Sequence, residues 1–292
     1  MKNIHSRQYR ILQDPMAVYS FMLEIYEKDW RNGVPAPFLE YALSSTWMDK
    51  SYTHLNRLWF DGDTIVGLVF YENPATDVYF SLRPGYEELA EEMVQYAEEH
   101  MPNFDGKQRL VLFGGQQALL DAVNKRGYER VMDYWDCLYD FAKPLDYPLP
   151  EGFHIVPMGK ADPAKACKCC WKGFDHEAEE GPWNGDTTAA ALIECAPHQT
   201  EYLDVCIENE AGEYVCYAGM WWTPENDLAY MEPLCTIPEC RKMGLAAAAL
   251  SEMYRRTKAL GATHMTGGGN PFYKKIGYEP VIHWNFFEKK RD

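Results

Sequence analysis

Two stretches of alternating apolar and polar residues stand out along the chain. "LNRLWFDGDTIVGLVFYE" breaks at Asp61–Gly62–Asp63, and "YLDVCIENEAGEYVCYAGMWW" breaks at Ala211–Gly212. Period-two alternation interrupted by turn-forming residues predicts a β-hairpin in each. The elements around them repeat in the same order. A short opening strand ("RQYRILQ" or "EGFHIVP") and helices precede each hairpin. A further strand, a long helix, a strand ("RLVLF" or "ATHMT"), a short helix and a Gly-Tyr turn follow it. The turns, "NKRGYER" and "KKIGYEP", place Gly127 and Gly277 150 residues apart (277 − 127 = 150). Gly67 with Gly219, and Pro84 with Pro238, keep nearly the same interval. The pattern predicts two copies of one α/β (α+β) unit. The three prolines of "FAKPLDYPLPEGF" mark the joint, giving expected domains of 1–143 and 144–292.

The copies differ at one place. After Pro84 the first copy opens its long helix, "YEELAEEMVQYAEEH", with Glu87 and Glu88, which repel an anion. After Pro238 the second copy carries Arg241, Lys242 and Gly244 ahead of "LAAAALSEMYRRTKALGA". Leu250, Met253, Tyr254, Thr257 and Leu260 recur at three- and four-residue spacing, so one face of this helix is expected to pack, with Gly261 as its stop. Its first turn is stripped of bulky side chains. Exposed N–H groups at a helix start, reached from a strand through a glycine-bearing loop, form a general anion-binding device. A P-loop is excluded, because no Gly-Lys-Ser/Thr closes the loop. The glycines at 267–269 lack the spacing of a dinucleotide fold. What remains is Arg-x-x-Gly-x-Ala after the strand "LAYMEPLCTI" and Pro238.

Composition narrows the partners. The 292 residues are ample for two cores, and a formal net charge of −16 disfavours nucleic acid and anionic membrane surfaces while suiting a cationic substrate. The start lacks the apolar core of a leader peptide and no run approaches a membrane span, so a cytoplasmic location is expected. Nine cysteines, an odd number, read as reduced thiols. Cys167, Cys169 and Cys170, with His176 downstream, lack the paired spacing of a zinc site. They lie in "ADPAKACKCCWKGF", which predicts a helix entered at Asp162–Pro163; buried helical thiols are expected there, and no metal.

At Glu232 to Tyr278 the chain resembles the acyl-CoA core of the GNAT acetyltransferase superfamily. The family's Arg/Gln-x-x-Gly-x-Gly/Ala loop appears as "RKMGLA". Its asparagine, followed by a short helix with a tyrosine before a Gly-aromatic turn, appears as "NPFYKKIGY", and "MEPLCTIP" resembles a branch with Glu-Pro near the start of that strand. The first half resembles the same fold in decayed form. The resemblance implies two tandem GNAT-like domains, each a mixed, mostly antiparallel sheet flanked by helices, with acetyl-CoA bound in the second and a degenerate first copy.

Residue by residue, it implies that the backbone amides of Lys242, Met243, Gly244, Leu245 and Ala246 hold the pyrophosphate, with Arg241 and Lys242 adding charge. Backbone groups of Leu234, Cys235 and Thr236 bind the pantetheine arm. Asn270 matches the family's cofactor-side asparagine and is equally a helix cap. Tyr273 matches the general acid, although Pro271–Phe272 departs from the usual Asn-x-x-Ala spacing. Glu232 is a candidate base, with a structural role as the alternative. In "GFDHEAEEGPWNGD", Asp175, Glu177, Glu179, Glu180 and Trp183 either shape an amine site or form a solvated loop, and His176 is a loop histidine. The implied reaction is N-acetylation of a small primary amine by direct attack on the thioester, in a monomer or homodimer. A non-catalytic acyl-CoA sensor or scaffold is the alternative. Aminoacyl transfer from tRNA suits neither the acidic chain nor the intact loop.

Overall fold

Alternation becomes a hairpin in both halves, and the surrounding elements repeat. In the computed structural model, which describes residues 2–289, the first half runs β1 (Ile4–Gln8), α1 (Pro15–Ile25), α2 (Ala36–Ser44), β2 (Arg57–Asp61), β3 (Thr64–Glu72), β4 (Asp77–Leu82), α3 (Ala90–His100), β5 (Arg109–Phe113), α4 (Gln117–Lys125) and β6 (Tyr128–Asp140). The second half runs β7 (Phe153–Ile155), α5 (Pro163–Gly173), α6 (His176–Glu180), α7 (Thr188–Glu194), β8 (Val205–Asn209), β9 (Tyr214–Thr223), β10 (Leu228–Thr236), α8 (Leu245–Lys258), β11 (His264–Gly267), α9 (Pro271–Lys275) and β12 (Glu279–Lys289). The fold is the expected α/β arrangement of mixed sheets flanked by helices.

Chain contacts divide the molecule at 136/137 and at 279/280, not at the proline-rich 143/144 joint. One unit comprises residues up to 136 together with those from 280, and the other comprises 137–279. In the first unit β1, β2, β3 and β4 are antiparallel neighbours, β4 lies parallel to β5, and β12 closes antiparallel on β5 through Trp284–Phe287. In the second, β7 to β10 are antiparallel neighbours and β10 lies parallel to β11. There β11 is closed antiparallel by Cys137–Asp140, the end of β6. The closing strand of each unit therefore comes from the other half of the sequence. The Gly-Tyr turns ended the repeat as read from sequence, and the strands after them, β6 and β12, were not foreseen.

Each unit has its own core. In the first, Trp59, Val66, Val69 and Phe80 of the sheet meet Met93, Val94 and Ala97 of α3. In the second, Val215, Ala218 and Met231 of the sheet meet Leu245, Ala248, Ala249 and Met253 of α8. The predicted packing face of α8 forms with Leu250, Met253, Tyr254 and Thr257 buried, but Leu260 is exposed because the helix has already ended at Lys258. Two other elements begin elsewhere than expected. β1 occupies residues 4–8, leaving Ile11 and Leu12 exposed, and a 3₁₀ turn at Glu87–Leu89 precedes α3. Helix α5 starts where Asp162–Pro163 predicts. The Asp162 carboxylate accepts from the Ala164 and Lys165 amides at 2.9 and 3.1 Å, a cap that contributes about 1 kcal/mol.

Candidate functional site

Strand β10 separates from its neighbour soon after meeting it. It pairs with β11 only through Leu228 with His264 and Ala229 with Met265, although both strands run on. Beyond that point the Met231 amide donates to the Thr266 side chain (N to Oγ1 2.8 Å), so a side chain replaces the ladder and the strands part. On the other edge of β10 the register against β9 slips between Met231 and Leu234, at Glu232 and Pro233. Gly219 of β9 faces the slip. A Cβ there would lie 2.5 Å from the Glu232 carbonyl oxygen and 2.9 Å from Pro233 Cδ, so only glycine fits. A bulge of this kind re-aims backbone groups that a flat ladder would consume. Glu232, Leu234 and Thr236 are half-buried along it, and Cys235 is buried.

The loop after β10 leads into α8. Lys242 and Gly244 both have left-handed backbones, at φ +65° and +90°, which turns successive amides toward one side. Gly244 occupies the N-cap, no side chain caps the first turn, and no acid stands in it. The first N–H groups of a helix have no partner within it, and the dipole adds positive potential there. Residues 241–244 are exposed, Leu245 is buried as the anchor, and Ala246 is half-buried. Arg241 turns back, donating from Nε to the Thr236 carbonyl (3.2 Å) and from Nη2 to the Gly173 carbonyl and to Asp175 Oδ1 (both 2.9 Å). It fastens the loop to the end of α5 and to β10, and its charge is partly balanced by Asp175.

The first unit closes both openings at the matching place. Its β4 and β5 pair at 77–79 with 109–111. Beyond that, the buried Gln116 carboxamide bridges them, donating to the Phe80 carbonyl and accepting from the Phe113 amide, each at 2.9 Å. Where the second unit has its loop, the Gly85 amide is taken by Glu87 Oε1 at 2.8 Å.

Asn270 is the N-cap of α9, its Oδ1 accepting from the Phe272 amide at 2.9 Å. Tyr273, on α9, is buried with its ring against the end of β11: a Cβ on Gly267 would lie 2.6 Å from Tyr273 Cδ1. Tyr278 meets it edge-on, with centroids 5.2 Å apart at 67°. Burial holds the Tyr278 phenol well above its ordinary range. Gly267 thus makes room for Tyr273 next to the strand that parts from β10. The acidic loop is paired largely within itself. Asp175 holds Arg241, His176 Nδ1 lies 3.1 Å from Glu180, and Trp183 Nε1 donates to the Asp186 carbonyl at 3.2 Å.

A second polar group steadies β9. Past Val205, where β8 stops pairing, side chains take over: Asp204 Oδ1 accepts from the Met220 amide and Thr200 Oγ1 from the Trp222 amide, both at 2.9 Å. Tyr217 donates to Asp204 Oδ2 at 2.5 Å, and Arg256 of α8 donates to the Asp204 carbonyl at 2.5 Å. Burial pushes the Asp204 carboxyl up to about 8, against the lowering effect of its two hydrogen bonds.

The site therefore gathers Glu232, Leu234, Cys235 and Thr236 along one bulged strand, the 242–246 amides directly after it, and Tyr273 against the neighbouring strand's end. Gly219, Thr266 and Gly267 were not singled out as site residues. The signal for two of them was a glycine inside a strand pattern, which marks a close backbone approach or a bulge. Among the described residues no cluster of His, Cys, Asp or Glu is arranged to hold a metal ion, and no helix is long and apolar enough to cross a membrane.

Comparison with known proteins assigns this arrangement. Residues 171–278 match the model of the acetyltransferase (GNAT) family. This stretch is a GNAT domain. It runs from α5 to the Gly-Tyr turn and contains the bulged strand, the 241–246 loop and Tyr273. Among solved structures, a GCN5-related N-acetyltransferase from Sphaerobacter thermophilus is similar at TM-score 0.60 and 15% identity, over 98% of this chain and 95% of that one. A tandem GNAT protein from the clavulanic acid biosynthesis pathway is similar at TM-score 0.60 and 14% identity, over 99% and 100%. At such identities the likeness is one of fold, and it covers nearly the whole chain, both halves included. No curated protein matches the sequence significantly. The chemistry of the GNAT family is acyl transfer, generally from acetyl-CoA.

Proposed function

We propose that the chain is an N-acetyltransferase that moves an acetyl group from acetyl-CoA to the primary amine of a small molecule. The observation that carries this is the parting of β10 and β11 after two residue pairs, with an uncapped, small-residue helix start directly downstream. The residues present fit the cofactor. An open strand edge at Leu234–Thr236 suits an amide-bearing pantetheine arm, and the left-handed loop with the first turn of α8 suits a diphosphate.

Bound acetyl-CoA supplies an activated thioester. The chain's own residues then have separate tasks. Amides from Lys242 to Ala246 bind the diphosphate, while Arg241 holds the loop in place through Gly173, Thr236 and Asp175. Glu232, half-buried at the bulge, takes a proton from the substrate ammonium, directly or through water, which frees the amine lone pair to attack. The Tyr273 hydroxyl gives a proton to the departing sulfur. The first unit serves as a scaffold: Gln116 and Glu87 fill the places where the second unit is open.

The deciding experiment is calorimetric titration with acetyl-CoA, followed by an assay of free CoA release over a panel of small amines. Binding and amine-dependent release support the proposal. Binding without release across the panel would favour an acyl-CoA sensor, and the absence of binding by the folded protein would overturn both.

A further inference from the structure

Three thiols that acyl transfer does not use meet beneath β10. Cys169 and Cys170 of α5 face Cys235, whose Sγ lies 4.0 Å from Cys170 Sγ and 3.8 Å from the Cys169 carbonyl oxygen. The helix comes this close because Gly173 has no side chain; a Cβ there would lie 2.7 Å from Cys235 Cβ and 2.8 Å from its Sγ. All nine cysteines are free; Cys235 is buried and Cys170 half-buried. The sulfurs of Cys169 and Cys170, with Arg241, draw the Cys235 thiol well below its ordinary range against the effect of burial, whereas Cys170 is held above it. Of the two, Cys235 is the thiol favoured to ionise, and the thiolate is the reactive form.

We propose that Cys170 and Cys235 are a peroxide-sensitive pair whose disulfide switches off acyl-CoA binding. The second half of this statement rests on the proposed acyl-CoA site. The Cys235 thiolate attacks hydrogen peroxide, the O–O bond breaks, and a sulfenic acid and hydroxide result. The Cys170 sulfur then attacks the sulfenic sulfur; the S–S bond forms, the S–O bond breaks, and the thiol proton leaves with the hydroxyl as water. In sum, two thiols and one peroxide give one disulfide and two waters.

A disulfide is about 2.05 Å long, so sulfurs now at 4.0 Å must close by about 2 Å, which turns both side chains and re-packs the tight α5–β10 contact at Gly173. Two consequences follow from the geometry. Cys235 lies between Leu234 and Thr236, whose backbone groups are proposed to bind pantetheine. The end of α5 also carries Gly173 and leads to Asp175, the anchors of Arg241, so a re-packing at Gly173 reaches the 241–244 loop through them.

The test treats the whole protein with graded hydrogen peroxide, blocks remaining thiols with iodoacetamide, and maps unreduced peptides. Acetyl-CoA affinity is measured on the same samples. The expected result is a Cys170–Cys235 cross-linked peptide, loss of two of the nine free thiols, and a fall of about tenfold or more in acetyl-CoA affinity, all reversed by dithiothreitol. Cys170→Ser, or Cys170→Ala where serine is not tolerated, keeps the affinity of the reduced wild-type protein and forms no cross-link with peroxide, oxidation at Cys235 stopping at the sulfenic acid, which dimedone traps. A cross-link through Cys169, or oxidation confined to the exposed Cys195 while Cys170 and Cys235 still alkylate, overturns the pair. A Cys170–Cys235 cross-link with unchanged affinity overturns the switch. Reduced protein that fails to bind acetyl-CoA overturns the proposed site and the switch with it, while the disulfide itself is decided by the peptide map alone.

Discussion

Gly219→Ala tests whether the β10 bulge makes the site. The backbone of Gly219 is not in the left-handed region, so alanine is conformationally allowed and the whole effect is steric. The added methyl would lie 2.5 Å from the Glu232 carbonyl oxygen, 2.9 Å from Pro233 Cδ and 3.0 Å from the Glu232 carbonyl carbon. Two of the three obstacles are backbone atoms and the third is a ring carbon, so none can rotate away. Either β9 and β10 separate by several tenths of an ångström or the bulge flattens. Overpacking of this kind costs roughly 2–3 kcal/mol, which for a unit of this size lowers the melting temperature by about 6–9 °C. Flattening re-aims the backbone groups of Leu234 to Thr236, so acetyl-CoA affinity falls by at least about tenfold. Gly212→Ala is the control. At φ +74° it carries backbone strain of about 1–2 kcal/mol, but its Cβ meets only Lys165 Nζ at 3.8 Å, and acetyl-CoA affinity is unchanged. Calorimetric titration and thermal denaturation of both variants decide the matter. Wild-type acetyl-CoA affinity in folded Gly219→Ala would refute the claim that the bulge forms the site.

Three further expectations are independent of that one. Tyr273→Phe keeps the ring packed on Gly267 and lowers turnover by roughly 10²–10⁴ with acetyl-CoA affinity and melting temperature unchanged; a steady-state assay beside a titration checks it. Asp204 binds its proton more tightly in the folded chain, with its carboxyl pushed up from 3.8 to about 8. Its contribution to stability is thus full below pH 3.8 and is lost as pH rises to about 8, by up to roughly 5 kcal/mol. Asp204→Asn should flatten that part of the stability–pH curve measured by urea unfolding, and an unchanged slope would count against the assignment. Finally, a fragment of residues 144–292 lacks Cys137–Asp140, the strand that closes β11, and should show no cooperative melt by circular dichroism; a sharp melt would show that the exchanged strand is dispensable.

Much of the site was legible because it depends on local chemistry. "RKMGLA" needs only a strand, a left-handed glycine and a helix start, and the structure has Gly244 at the N-cap of α8 with φ +90°. Asp162–Pro163 fixed the start of α5 in the same way, through a cap that spans three residues. Leu260 was misplaced for the complementary reason: helical spacing continues on paper after the helix has ended. The partner of Arg241 could not be read either. An arginine beside a phosphate loop looks like a ligand until Gly173 and Asp175, more than sixty positions away, are seen to hold it.

By itself the sequence determined what repeats and what is local: two hairpins, their turn glycines, the helix starts and the loop that separates the second copy from the first. Alternation and capping act over a few residues, and so they survive in a linear reading. Only the tertiary structure decided which strand closes which sheet, because β6 and β12 each complete the unit built by the opposite half, and pairing at that sequence distance leaves no periodic trace. It likewise decided why Gly219 and Gly267 must be glycine, since the atoms that exclude a side chain there belong to strands and helices that the chain reaches only after folding.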